Sequence, residues 1–348
     1  MTVKAAAAPA TPARPTTGST RGETMAGVRP GWITIAGKEF TDHLLSVRFY
    51  VLLFVLGMAA MIPLYFAGET IRSLAEAASG QSAVFLALFF LTPNEEVDIL
   101  RVYSFVAIAA PLLGVGFAFD AVNGERHQGT LPRLLSQPIH RDDVINGKLA
   151  AGLAVISMVL VVMLAVIAGY GMLRLGIMPA ESEVIRLVAW LLLTMLYVAL
   201  WLAFGTLLSV VMRRASTSAL VGLGVWFFVA VPQFGQFLVS LLGAIIAPAG
   251  RTAQEQLNSI TTQEFLLRLL PSTLYREASL VLLNPSVTTI TTPATIDQYA
   301  QYQQRIGALF SLDQSILLVW PQVVVLFALT IGCFALAYAR FMRQEVRA

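Results

Sequence analysis

The chain has 348 residues, of which 57% are hydrophobic and only 12% charged, with 23 Lys and Arg against 20 Asp and Glu. A soluble domain carries about 25% charged residues, so a water-soluble fold of this length would have too few polar groups to cover itself. Six charge-free stretches of 18 residues or more, at 49–68, 102–119, 149–173, 187–212, 215–250 and 314–339, suit an all-α integral membrane protein with six transmembrane helices.

Residues 1–31, rich in Ala, Pro, Thr and Gly, read as a disordered cytoplasmic tail, with 32–348 as the membrane domain. After Trp32, the residues Ile33, Ala36, Phe40, Leu44 and Val47 recur at helical intervals, with Lys38, Glu39, Asp42 and His43 between them. That pattern predicts an amphipathic helix lying in the inner membrane interface, and it would also suit a cytoplasmic extension of the first span. Beyond the first span, the apolar run at 83–91 is only nine residues long. It is expected to dip into or pack on the membrane from outside, because a crossing there would put Glu95, Glu96 and Asp98 inside and the basic loop that follows outside.

That basic loop, residues 120–148, is the longest polar segment between two spans on its side. With the amino-terminal region, the Arg213–Arg214 turn and the carboxy-terminal tail it holds 15 of the 23 Lys and Arg. All four segments fall on one side of a six-span chain, so both termini are expected in the cytoplasm. Asn123 or Gly124 can begin a short helix with Glu125 near its positive end, Leu131, Leu134 and Leu135 as an apolar ridge, and Pro138 closing it. Amphipathicity alone would fit an ordinary surface helix equally well. Asp142 and Asp143 then fall at the amino-terminal end of the third span, where negative charge is favoured.

Within the fifth stretch, Gln233 and Gln236 stand one turn apart beside Pro232 and Gly235. A bent or broken helix there can line a path with two amides, or use them to hydrogen-bond neighbouring helices. In the loop 248–313, Leu266, Leu269 and Leu270 share a face, and Leu274, Ala278, Val281 and Leu282 share another after Pro271. This predicts two short amphipathic helices outside the membrane, serving as a cap or as structural support. Cys333 is the single cysteine and can form no intrachain disulfide.

None of the six stretches contains Asp, Glu, Lys, Arg or His, which weighs against a proton-coupled carrier or an ion channel, and no acid, base or metal set marks an intramembrane enzyme. No phosphate-binding GxxxxGK loop is present either. The chain is expected to hold no cofactor or metal and to bind no nucleic acid. Uphill transport would need energy from another subunit. The main rival is a non-transporting anchor or signalling subunit of an ATPase complex.

Glu125, Gly129–Thr130–Leu131, Leu134–Leu135, Pro138, Arg141 and Gly147–Lys148 follow one another in an order that resembles the loop after the second span in ABC-2 type membrane subunits of ATP-binding-cassette transporters. Lys38–Glu39–Phe40 is similar to that family's amphipathic helix before the first span, and the likeness extends over most of residues 32–343. The resemblance implies a coupling helix around Gly129–Leu131 that seats in an ABC ATPase subunit, which itself binds ATP and Mg. It also implies two six-span units, alike or paralogous, paired in the lipid bilayer of the inner or plasma membrane. The long loop with LLPSTLYREASLVLLNP looks more like the branch that includes the permease associated with maturation of multicopper enzymes such as nitrous-oxide reductase. His43, His127 and His140 all fall on the cytoplasmic side, so nothing in the sequence argues for copper ligation.

Overall fold

The computed structural model describes residues 30–73, 85–91, 101–130, 140–248, 252–287 and 310–344, and every regular element among them is a helix. In chain order these are α1 (Gly31–Leu44), α2 (Val47–Ser73), α3 (Ala87–Phe90), α4 (Val102–Ala118), α5 (Asn123–His127) and α6 (Arg141–Leu175). They are followed by α7 (Glu181–Val211), α8 (Ala215–Ala230), α9 (Pro232–Ile246), α10 (Ala253–Arg268), α11 (Pro271–Leu283) and α12 (Leu312–Met342). Among the described residues five helical segments, α2, Val102–His127 (α4 with α5), α6, α7 and α12, are long and apolar enough to cross a membrane, and α8 with α9 makes up to a sixth. The tail expected over 1–31 lies outside the described residues except for Pro30 and Gly31.

The broken fifth span follows from its proline. Pro232 has no N–H to continue the α8 ladder, and the residue before a proline is pushed out of the helical region. Val231 accordingly adopts φ −84° and ψ 114°, and the two helices meet at 78°. The run expected at 83–91 to stay outside the spans is the four-residue α3, too short to cross, with Phe85, Leu86, Leu88 and Phe89 fully buried. Its preceding turn is held by Glu183 at the start of α7, whose carboxylate accepts from the N–H groups of Phe85 (3.0 Å) and Leu86 (3.3 Å).

Residues 252–287 form the two helices that the leucine spacing predicts, α10 and α11. Leu274, Ala278, Val281 and Leu282 form the buried face of α11, whereas Leu269, expected on an apolar face, is exposed. The apolar positions expected on α1 divide between two surroundings: Trp32 and Ile33 are exposed, Phe40 and Leu44 are half-buried against the core, and Val47 begins α2, while the most buried face of α1 runs through Ile35, Glu39 and His43. The reason is that lipid and protein are both apolar, so periodicity marks an apolar face without saying which of the two covers it.

The central element is α7, which packs against α4, α6, α11 and α12. Its approach to α4 depends on Gly114, where a Cβ would stand 2.7 Å from the Leu202 nitrogen. Three buried rings then tie the layers together. Pro111 inside α4 cannot donate to the Ala107 carbonyl one turn back, and the Tyr197 hydroxyl of α7 donates to that carbonyl at 3.0 Å. Tyr197 stacks on Tyr275 of α11 at 4.4 Å, and the Tyr275 hydroxyl meets that of Thr194 at 2.9 Å. Trp190 donates to the Ser279 hydroxyl at 3.1 Å. Tyr197→Phe keeps the stacked ring but leaves the Ala107 carbonyl unpaired, so a loss of about 1–3 kcal/mol is expected in reversible unfolding of the detergent-solubilised protein.

Candidate functional site

Three helices distant in sequence bring one charged side chain each to a single buried point. Lys148, near the start of α6, places its Nζ 2.8 Å from Glu39 Oε1 of α1 and 2.7 Å from Glu125 Oε1 of α5. The side chains are 6%, 14% and 19% exposed. The Gly147–Lys148 pair explains how α1 reaches α6. A Cβ at Gly147 would fall 2.8 Å from the Ile35 side chain and 2.9 Å from the Trp32 carbonyl, so glycine admits the helix and the adjacent lysine holds it. Lys38, mostly exposed, pairs with Asp42 at 3.5 Å on the outer side of α1. Burying three charges costs desolvation, so the cluster defines the mutual register of the helices more than it adds net stability.

The same end of the bundle is pinned by further polar contacts. The Ser209 hydroxyl at the end of α7 accepts from the N–H groups of Val122 (2.9 Å) and Asn123 (3.2 Å), which secures the start of α5. At the other end of α5, Gly129 turns the chain with φ +69°, and the Thr130 hydroxyl donates to the Glu125 carbonyl at 3.2 Å. Gln344, just past α12, accepts from the Arg126 guanidinium, accepts from Arg141 at its carbonyl (3.1 Å) and donates to the Val210 carbonyl (2.9 Å). Arg48 pairs with Asp120 at 2.6 Å and lies 4.8 Å above the Phe119 ring. A cleft of about 850 Å³ opens beside the cluster, lined in part by His43, Arg48, Asp120, Gln128 and Thr130. Burial holds the His43 imidazole below its ordinary pKa, against the pull of nearby Glu39.

Several expectations from the coupling loop can now be placed. The short helix does begin at Asn123 with Glu125 in its first turn, but it ends at His127 and not at Pro138, because Gly129 with φ +69° turns the chain before the leucines; the Asp143 carboxylate accepts from the His140 N–H at 3.3 Å, where α6 begins. Glu125 points inward to Lys148, not out to solvent, and Arg141 is engaged with the end of α12. Leu131, Leu134, Leu135 and Pro138 lie outside the described residues. Reading the sequence missed Ser209, Gln344 and the Arg48–Asp120 pair, none of which carries a local pattern. The charge-free stretches also clip the helices, since α6 and α7 begin at Arg141 and Glu181.

At the opposite end of α4, Gln233 and Gln236 line a second cavity of about 520 Å³ between α4, the α8–α9 break and α11.

Residues 33–346 match the ABC-2 family transporter proteins. The chain belongs to this family. Its similarity reaches 31% identity over 180 residues with a protein of Stutzerimonas stutzeri described as the probable ABC transporter permease protein NosY, covering 50% of this chain and 59% of that one. A protein of Pseudomonas aeruginosa with the same description is 28% identical over 250 residues, 70% of this chain and 79% of the relative. The chain thus spans less than two thirds of the Stutzerimonas protein. The family expected from Gly129–Thr130–Leu131 and Gly147–Lys148 is borne out, and the NosY likeness agrees with the branch suggested by the outer loop. In this ABC-2 protein, three of the residues that carried the family resemblance, Glu39, Glu125 and Lys148, meet in the buried cluster.

Proposed function

We propose that the chain is the permease subunit of an ATP-driven exporter, with ATP and Mg bound and hydrolysed by a separate ABC ATPase. The observation that carries this reading is the Glu39–Lys148–Glu125 cluster at the root of the Gly129–Thr130 segment. A push on residues 131–139 by the ATPase would enter α5 and reach α6 and α1 through Lys148. Ser209 would pass it to α7, and Gln344 would link it to α12. Because charge interactions strengthen as water is excluded, the cluster can move the three helices as one body. In this reading the cluster faces the cytoplasm with both termini, the loop 248–313 lies outside, and two copies or paralogues pair in the inner or plasma membrane. Basic residues described on the cluster's side, among them Arg126, Arg141, Arg213 and Arg214, support that orientation.

Leu131, Leu134 and Leu135 would fill a groove on the ATPase. The test is Leu134→Asp alone and with Glu125→Ala, each compared with wild type for membrane insertion and for co-purification of the ATPase subunit. Loss of a buried interface anchor costs about 2 kcal/mol or more, so association should fall at least roughly thirtyfold while insertion persists. The single variant matters because Glu125 also holds Lys148. Gln233→Ala should leave association unchanged. Wild-type recovery of the ATPase by the double variant would remove the coupling assignment.

A further inference from the structure

We propose that α4 hinges at Pro111 and that Trp226 is the positioning residue that keeps the first half of α4 in place as one wall of the cavity at the α8–α9 break. The inference needs no ATPase and stands apart from the coupling reading. Pro111 lies inside α4 and contributes no N–H to the helix ladder, which makes it the natural joint of this helix. Two carbonyls just before the joint are engaged from two different helices. Tyr197 of α7 donates to that of Ala107 at 3.0 Å, and Trp226 of α8 donates through Nε1 to that of Ile108 at 2.7 Å.

The two halves of α4 meet the same two neighbours in different ways. After Pro111 the approach is steric: a Cβ at Gly114 would stand 2.7 Å from the Leu202 nitrogen of α7, and one at Gly222 of α8 would stand 2.7 Å from Val115 Cγ1. Contacts as close as these leave no slack, because packed interiors do not deform continuously. Before Pro111, the first half is tied to α7 and α8 by the two side-chain hydrogen bonds, and interhelical bonds of this kind contribute little each and can be exchanged. This half begins at the cavity, where Tyr103 faces a space of about 520 Å³ shared with Val229 and Pro232 at the α8–α9 break and with Ser272 and Thr273 of α11. Trp226 stands in the last turns of α8, just before that break. Releasing its bond to Ile108 therefore frees one wall of the cavity from the helix that leads into the facing wall, and the space widens between them.

The test uses the full chain purified in neutral detergent, with Cys333→Ala to remove the native thiol and Thr273→Cys, a half-buried position in the cavity lining, as a maleimide reporter. The labelling rate then follows the open fraction of the cavity. Trp226→Phe keeps a large ring and removes only the donor, so labelling should rise roughly three- to tenfold, the size of one lost hydrogen bond. Pro111→Ala restores the ladder N–H, and in that background Trp226→Phe should change labelling by less than about twofold. This dependence separates a hinge latch from a packing role, which would raise labelling equally in both backgrounds. Hydrogen exchange on the Trp226→Phe chain needs no change at Pro111 or at Thr273. It should accelerate over residues 102–110 while 112–118 keep their protection. No rise in labelling with Trp226→Phe, an equal rise in the Pro111→Ala background, or acceleration through the whole of α4 overturns the proposal.

Discussion

Replacing Lys148 by methionine is expected to destabilise the protein by about 3–5 kcal/mol, because it strips the cation from two buried carboxylates. Methionine keeps the apolar stem in place, so the loss reports the charge and not the packing. The carboxylates of Glu39 and Glu125 would then stand together among α1, α5 and α6 with no ammonium between them. Adding Glu39→Gln and Glu125→Gln to Lys148→Met should restore much of the stability, since the repulsion and the unpaired charge both disappear. Coupling should not return with it, as neutral amides hold the three helices less firmly. Thermal and denaturant unfolding of the single and triple variants, followed by stimulation of the proposed ATPase subunit, separates these effects. A single variant within error of wild type would mean that α1 is held by Ile35 packing at Gly147 and not by the ion cluster.

Arg186→Met should loosen the other end of the molecule. The buried Arg186 of α7 donates to the Leu282 carbonyl and the Ser315 hydroxyl, both at 3.1 Å, and to the Phe310 carbonyl. It thereby joins the end of α11 to the start of α12. A hydrogen bond from a charged donor contributes about 1.5–3 kcal/mol, so losing three should cost about 3 kcal/mol or more even after local relaxation. Hydrogen exchange should accelerate in α11 and the first turns of α12 while α1 and α5 stay protected, because distant sites act independently. Uniform acceleration through α1 and α5 would show instead that Arg186 supports the whole bundle.

Arg186 and Glu183 also show where reading the sequence reached its limit. Both lie just before the charge-free stretch 187–212 and look like ordinary interfacial charges at the head of a span. In the structure they are buried and clamp different parts of the same end of the bundle, Glu183 the turn before α3 and Arg186 the α11–α12 junction. Lys148 has a comparable history. Its place in a Gly-Lys pair was legible as a family resemblance, but its partners lie 109 and 23 residues away, and no local pattern names them.

The sequence by itself determined which stretches form long apolar helices, that the fifth of them breaks at Pro232, that two helices form about Pro271, and to which family the chain belongs. Each of these rests on local properties: hydropathy summed over some 20 residues, a missing N–H, or a short ordered motif. Tertiary structure alone decided which face of α1 meets protein, which charges meet at Lys148, and that Tyr197 satisfies the carbonyl freed by Pro111. Those outcomes depend on the register and spacing of helices far apart in sequence. In a bilayer, where lipid and protein are equally apolar, hydrophobic periodicity cannot set that register, and polar pairing and close backbone approach set it instead.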